Sequence, residues 1–246
     1  QFGWMWVMMG GLVLLIIFTI SMNFIFPPPA PEPANQDLGE RWQQLEPLSE
    51  PLRGMAVAVY DGDVYTLGGE GPEGVSGSVF VYDFELGSWA MKAEKPTKVA
   101  DVNGVTIGEK IYVPGGKLAD GSSTDILEIY NPRTNTWERG APLPSAVSAY
   151  ALADFEGQMF LFGGSDGEKE VSTVLIYDPD VNTWQNGRPM DQPRAYTSSV
   201  AQEDRIILIG GLFEGKSISK VSAYFPNRDV EGEDPWVDFE DLPQPR

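Results

Sequence analysis

The amino-acid sequence predicts an all-β propeller with four complete blades, preceded by one N-terminal transmembrane α-helix. Three observations carry this. Gly-Gly pairs recur at Gly68-Gly69, Gly115-Gly116, Gly163-Gly164 and Gly210-Gly211, spaced by 47, 48 and 47 residues, and a constant period of that size marks stacked repeats. Thirteen or fourteen residues after each pair stands a tyrosine, and a tryptophan follows it. Finally, the chain opens on 23 residues without a charge, Trp4 to Phe26.

The first element is the anchor, residues 1–26. As a helix the uncharged stretch is about 34 Å long at ~1.5 Å per residue, enough to span a hydrocarbon core of ~30 Å. Trp4 and Trp6 at one end and Phe24 and Phe26 at the other fall where such rings favour the membrane interface. A cleaved signal peptide fits less well: the apolar stretch is too long and no basic residue precedes it. Gly10 and Gly11 would admit close approach of another helix, and Ser21 and Asn23 could bond across such a contact. The first basic residue after the stretch is Arg41, so the C-terminal side is expected to leave the cytoplasm. Localisation is therefore read as single-pass in the cell membrane, with the bilayer as one partner and the repeats extracytoplasmic. A short basic lead ahead of Gln1 would agree with that orientation.

Residues 27–40 begin PPPAPEPANQ, which cannot continue a helix and favours an extended polyproline spacer. This stalk would hold residues 41–246 off the bilayer.

Each unit of that domain, about 51–97, 98–144, 145–192 and 193–240, reads alike. An apolar run such as MAVAVY meets a turn such as DGD, then a second run VYTLGG, a third VFVYD and a tryptophan segment. Four short strands per unit is the content of a propeller blade. Tyr82, Tyr130 and Tyr177 precede Trp89, Trp137 and Trp184 by seven residues, whereas Tyr224 reaches Trp236 through the longer PNRDVEGEDP. Its acids read as a solvated loop. Pro114 stands just before its glycine pair, where the missing donor predicts an unpaired or bulged strand end.

These markers resemble the Kelch motif, most closely in IYNPRTNTW and IYDPDVNTW. The resemblance covers residues 41–246 and implies a Kelch-type β-propeller. The glycine pairs would let backbones approach, and the Tyr and Trp rings would fill the wedge between blades. Trp42 lies 47 residues before Trp89 and reads as the last strand of a further blade, while the chain stops at LPQPR where a fifth unit would begin. Further C-terminal sequence completing a six-bladed ring is the expectation. An open arc capped by a partner subunit, and a tight four-bladed ring using Trp42 as an extra strand, are the alternatives.

Composition narrows function. Thirty-six acids against 17 bases give a net charge of −19, which repels nucleic acid. The chain has no cysteine and no histidine, which excludes disulfides, Cys/His zinc sites and His- or Cys-based catalysis. The copper chemistry of some Kelch-type oxidases needs the same two residue types. No cofactor, metal or catalytic residue is assigned: DPDVN, residues 178–182, lacks the later glycine and glutamate of a calcium loop and reads as a turn. The segments after the glycine pairs recur at equivalent positions, so they should emerge on one face. They supply the candidate contacts Glu70, Glu73, Lys117, Asp120, Asp166, Glu168, Phe213 and Glu214.

The function read from these features is a non-catalytic protein-interaction module. It would be an accessory or scaffold subunit of a larger, for instance bioenergetic, membrane complex, and other subunits of that complex would be its partners. The alternatives are a carbohydrate isomerase or lyase working through carboxylates and arginine, as the Kelch resemblance allows, and a surface sugar-binding propeller.

Overall fold

The computed structural model of the chain describes residues 44–246. The predicted transmembrane helix with Trp4, Trp6, Phe24 and Phe26, the stalk and Trp42 lie outside the described residues. Among the described residues no helix is long and apolar enough to cross a membrane, and the one helical segment is a 3-10 turn, Pro226–Arg228.

Alternation drives the sheets. In Ala56–Tyr60, Ala56 and Ala58 are buried while Val57 and Val59 are exposed, the period-2 pattern of a strand with one covered face. Four antiparallel sheets of four strands follow in chain order. Blade 1 comprises Ala56–Tyr60, Asp63–Leu67, Val79–Asp83 and Ser88–Met91. Blade 2 comprises Val105–Ile107, Lys110–Pro114, Leu127–Asn131 and Thr136–Arg139. Blade 3 has Ala151–Phe155, Gln158–Phe162, Val174–Asp178 and Thr183–Gly187, and blade 4 has Ser198–Gln202, Arg205–Ile209, Val221–Tyr224 and Trp236–Asp238.

Three core clusters sit at the three blade junctions. Tyr65, Leu67 and Val79 of blade 1 meet Ile111, Val113 and Tyr130 of blade 2. Tyr112, Leu127 and Ile129 meet Met159, Leu161 and Tyr177, and Phe160, Phe162 and Val174 meet Ile206, Leu208 and Tyr224. No core cluster among the described residues joins blade 4 to blade 1, so the four blades form an arc with three junctions. The corresponding face of blade 4 leaves Ile207 and Ile209 half-buried and Val200 exposed.

The aromatic markers meet within each blade. Tyr and Trp ring centroids are 5.1, 5.0, 4.9 and 4.9 Å apart for Tyr82–Trp89, Tyr130–Trp137, Tyr177–Trp184 and Tyr224–Trp236. Each tryptophan also reaches backward: the Nε1–H of Trp137 donates to Ala93 O at 2.9 Å, Trp184 to Ala141 O at 2.9 Å and Trp236 to Arg188 O at 3.0 Å. Trp89 donates in the same way to Glu46 O at 2.8 Å. A third residue closes the clamp. Asn135 Oδ1 accepts from Tyr130 Oη at 2.6 Å and from Ala93 N at 2.8 Å, and Asn182 does so from Tyr177 and Ala141 at 2.7 Å each. In blade 4 the lengthened connection delivers Asp229 to this place, accepting from Tyr224 and from Arg188 N. The other acids there, Glu231, Glu233 and Asp234, are exposed.

The glycine pairs admit the next blade's entering backbone. Gly116 N donates to Val147 O at 2.8 Å, and a Cβ on Gly115, at φ +63°, would lie 2.3 Å from that same oxygen. The expectation for Pro114 is met on one side of its strand: toward Leu127 it pairs in regular register, and toward the inner strand it is unpaired. Gly115 N donates to Ile126 O, so ladder bonds toward Leu127–Asn131 pass through positions 113 and 115. The missing donor of Pro114 faces the inner strand instead, whose pairing ends with Val105 opposite Tyr112. The Pro114 carbonyl accepts from the buried Tyr150 hydroxyl.

The junction of blades 1 and 2 buries an ion pair. Lys95 Nζ lies 2.5 Å from Glu128 Oε2, both side chains essentially unexposed, with Thr97 Oγ1 on Glu128 Oε1 at 2.8 Å. Burial holds the Lys95 ammonium below its ordinary range, against the pull of Glu128. The equivalent positions one junction on are the buried Leu143 and Leu175. Glu128→Ala alone should therefore cost about 3–5 kcal/mol by stranding a buried cation, whereas Lys95→Leu with Glu128→Leu should lie within about 1 kcal/mol of the parent. Urea denaturation of all three proteins checks this, and a double variant as damaged as the single one would refute it. A second expectation concerns alkali. Burial pushes the Tyr130 and Tyr177 phenols up to about 12, above the ordinary value of ~10. Their stabilising contribution is complete below pH ~10 and is lost as pH rises through about 12. Tyrosinate absorbance should then appear together with loss of the sheet signal in circular dichroism.

Candidate functional site

Just past the glycine pairs, each blade folds out a short hairpin. Glu70–Gly71 pairs with Gly74–Val75, Lys117 bridges to Ser123, Ser165 to Glu170, and Leu212–Phe213 pairs with Lys216–Ser217. Each hairpin also bridges to the segment entering the inner strand, Arg53 with Glu70, Ala100 with Lys117, Ser148 with Ser165 and Ala195 with Leu212. All eight sequence-predicted contacts therefore stand on equivalent hairpins at one end of the blades. Glu73, Asp120, Asp166, Glu168 and Glu214 are exposed, while Glu70, Lys117 and Phe213 are half-buried. Neighbouring hairpins touch: Lys117 Nζ lies 3.6 Å from Glu70 Oε2, Ser123 Oγ donates to Ser165 O at 3.0 Å, and Gly215 N donates to Glu170 Oε1 at 3.2 Å. They make one continuous rim. The hairpin tips are stiffened locally: the amides of Lys169 and Glu168 hold the Asp166 carboxyl below its ordinary value.

Inside the rim lies a second set of equivalents that sequence reasoning missed. Gly54, Asp101, Ala149 and Tyr196 each stand fourteen residues before a glycine pair, and all adopt left-handed backbone, with φ of 61, 51, 54 and 52°. Backbone bonds link them around the arc: Ala149 N donates to Asp101 O and Tyr196 N to Ala149 O, both at 2.7 Å, and Val102 N donates to Gly54 O at 3.2 Å. Three non-glycine residues in this sparsely populated region give their side chains directions that ordinary strand backbone does not. The fourteen-residue offset was the signal available, hidden because the four residues share a backbone shape and no side-chain chemistry.

Asp101 is the hub. It sits 2.7 Å from Lys117 Nζ and accepts from Tyr196 Oη at 3.1 Å, so blade 4 touches blade 2 across Ala149. Arg53 extends the network through Glu70 at 3.0 Å. The Asp101 carboxylate raises Lys117 above its ordinary value, and burial followed by Asp101 raises the Tyr196 phenol. Tyr196 nevertheless remains 56% exposed. It borders three cavities: one of about 240 Å³ beside Asp101, Asn103 and Thr197, one of about 220 Å³ beside Ser165, Glu168 and Lys169, and one of about 650 Å³ on the open side of blade 4 beside Ile209 and Leu242. Such a site offers paired charges, hydroxyls and one accessible aromatic ring, groups that suit recognition of a polar surface.

The comparisons bear on which proteins share this arrangement. A family model described as the KLHDC2/KLHL20/DRC7 Kelch-repeats domain matches residues 54–230. The chain belongs to the Kelch-repeat family. Its Kelch repeats are 31% identical over 130 residues to Kelch-like protein 35 of Mus musculus, covering 52% of this chain and 22% of that protein. Identity to Beta-scruin of Limulus polyphemus is 29% over 137 residues, covering 52% and 15%. This Kelch chain thus spans a minor part of the length of these curated relatives. Among solved structures, that of YjhT superposes with a TM-score of 0.69 at 18% identity, covering 82% of this chain and 69% of that one, which shows a shared fold.

The hub has a consequence that can be measured in the Kelch domain. Asp101→Ala removes a partly buried acceptor from Lys117 and Tyr196 and should cost about 1–3 kcal/mol. Arg53→Ala, whose side chain is 79% exposed, should change stability by less than about 1 kcal/mol. Paired urea titrations read both, and equal effects would contradict a hub at Asp101.

Proposed function

We propose that this Kelch domain is a non-catalytic protein-interaction module held at a membrane, an accessory or scaffold subunit of a larger membrane complex on the extracytoplasmic side. The observation that carries the reading is the continuous rim, in which four hairpins of unlike sequence are joined edge to edge. A repeat fold varies such hairpins at little cost to its core, and that yields a broad individual surface. The membrane part of the reading is supported by the uncharged run Trp4 to Phe26 and its aromatic flanks. The arc belongs to a ring of about six blades: four blades account for 69% of the YjhT chain, and propellers close with four to eight. A further blade then covers Ile207, Ile209 and Val200.

A specific observation also favours a second reading, a sugar-binding or carbohydrate-converting propeller. The cavity of about 240 Å³ is lined by Asp101, Asn103, Tyr150, Tyr196, Thr197 and Ser198, a polar wall with aromatic rings. One experiment separates the two. The chain is expressed with its N-terminal run, membranes are washed with carbonate and then extracted in mild detergent, and companion proteins are identified after chemical cross-linking. Retention through the wash with a stoichiometric companion cross-linked at the rim is expected. Release by carbonate would overturn the anchor, and a companionless protein that converts sugars would overturn the scaffold.

A further inference from the structure

We propose that the hairpin rim takes a basic peptide segment, one arginine of which sits in the cavity between Tyr196 and Glu168. This rests on the protein-interaction reading and adds the chemistry of the partner.

Charge complementarity is the first argument. Glu70 and Asp101 are matched by Arg53 and Lys117, whereas the carboxylates of Glu73, Asp120, Glu168 and Glu214 have no cationic partner within 4 Å among the described residues. All four are exposed at hairpin positions on the same end of the blades. Two exposed hairpin lysines, Lys169 and Lys216, stand against these four acids, so acids outnumber bases and a partner approaching this end meets a field that favours cations over anions.

The cavity beside Tyr196 supplies the second. Its volume is about 220 Å³, and its walls include the acids Asp101, Glu168 and Glu170, the bases Lys117 and Lys169, the ring of Tyr196 and the hydroxyls of Ser148 and Ser165. Tyr196 is held on both sides, by its amide on Ala149 O at 2.7 Å and by its hydroxyl on Asp101 at 3.1 Å. The ring is therefore oriented before any ligand arrives while remaining 56% exposed. A planar guanidinium can lie against such a ring and direct its forked donors to a carboxylate, which the compact, strongly hydrated lysine ammonium does less well. Lys117 does not fill this role, because its ammonium is already engaged by Asp101 and Glu70.

The test uses the full chain and three fluorescein-labelled ten-residue peptides of Gly and Ser, carrying two Arg, two Lys or two Glu at matched positions, read by fluorescence anisotropy. The arginine peptide should bind, more tightly than the lysine peptide, with affinity falling as salt rises, and the glutamate peptide should not. Glu168→Gln, a change at an exposed side chain, and Tyr196→Leu should each weaken the arginine peptide about threefold to thirtyfold. Tyr196→Phe, which keeps the ring, should weaken it less than Tyr196→Leu. Thermal melts establish that the variants are folded. Equal binding of arginine and glutamate peptides, no binding of either, or arginine binding unmoved by both Glu168→Gln and Tyr196→Leu would overturn the proposal. If companions still cross-link at the rim in those cases, the interaction module stands and the basic partner alone is wrong.

Discussion

A tyrosine hydroxyl and a backbone amide of the preceding blade both bonding one side-chain oxygen is the contact on which the arc depends. Asn135 and Asn182 supply that oxygen at two junctions and Asp229 at the third. The contact ties three things together: the buried tyrosine, the exit segment of the preceding blade, and the turn that sends the chain into its own outer strand. The tyrosine ring is tilted against an aromatic of the preceding blade at about the same distance in all three cases, 6.1 Å from Tyr65, 6.0 Å from Tyr112 and 6.1 Å from Phe160. Apolar burial drives the sheets together, and the bonded oxygen sets the angle at which they meet, because a slip of one residue would leave a buried hydroxyl and an amide unpaired.

That angle positions the rim. With successive blades held alike, the glycine pairs fall at one height and the hairpins that follow them open on the same end. The left-handed residues Asp101, Ala149 and Tyr196 line up inside because the same entering segment is threaded through each pair. The cost of three unfavourable backbone conformations is met by the bonds running from Asp101 to Ala149 to Tyr196. The outcome is an aromatic ring and a carboxylate from non-adjacent blades locked together at the mouth.

The fold was legible because its determinants are periodic and chemically distinctive. Gly-Gly, Tyr and Trp recur with nearly constant spacing, and each has a role that few other residues can fill. The hairpin residues were legible too, by their place after the glycine pairs. Asp101 and Tyr196 were not, since their equivalents are glycine and alanine and only backbone shape unites them. Nor was the Lys95–Glu128 pair visible, for its equivalents are Leu143 and Leu175 and the two residues are 33 positions apart. Pro114 was legible in part, for a geometric reason: a strand has two sides, and the sequence does not state which side a missing donor faces. The long Tyr224 to Trp236 connection read as solvated, and its acids are, but it also carries the one carboxylate that replaces a carboxamide in the clamp.

Blade 1 breaks the pattern in one place. Where the other blades carry Asn135, Asn182 and Asp229, it has Gly87, which leaves the Trp89 bond to Glu46 O without its two companions. Traction applied from the N-terminal side enters the domain along the segment that includes Glu46. Among the described residues the first fastening it loads is this single indole bond, followed by the paired amides and carbonyls of Arg53 and Glu70. A pull of that kind peels the leading segment bond by bond before it strains any of the three intact junctions, so the propeller has a yielding end and a stiff body.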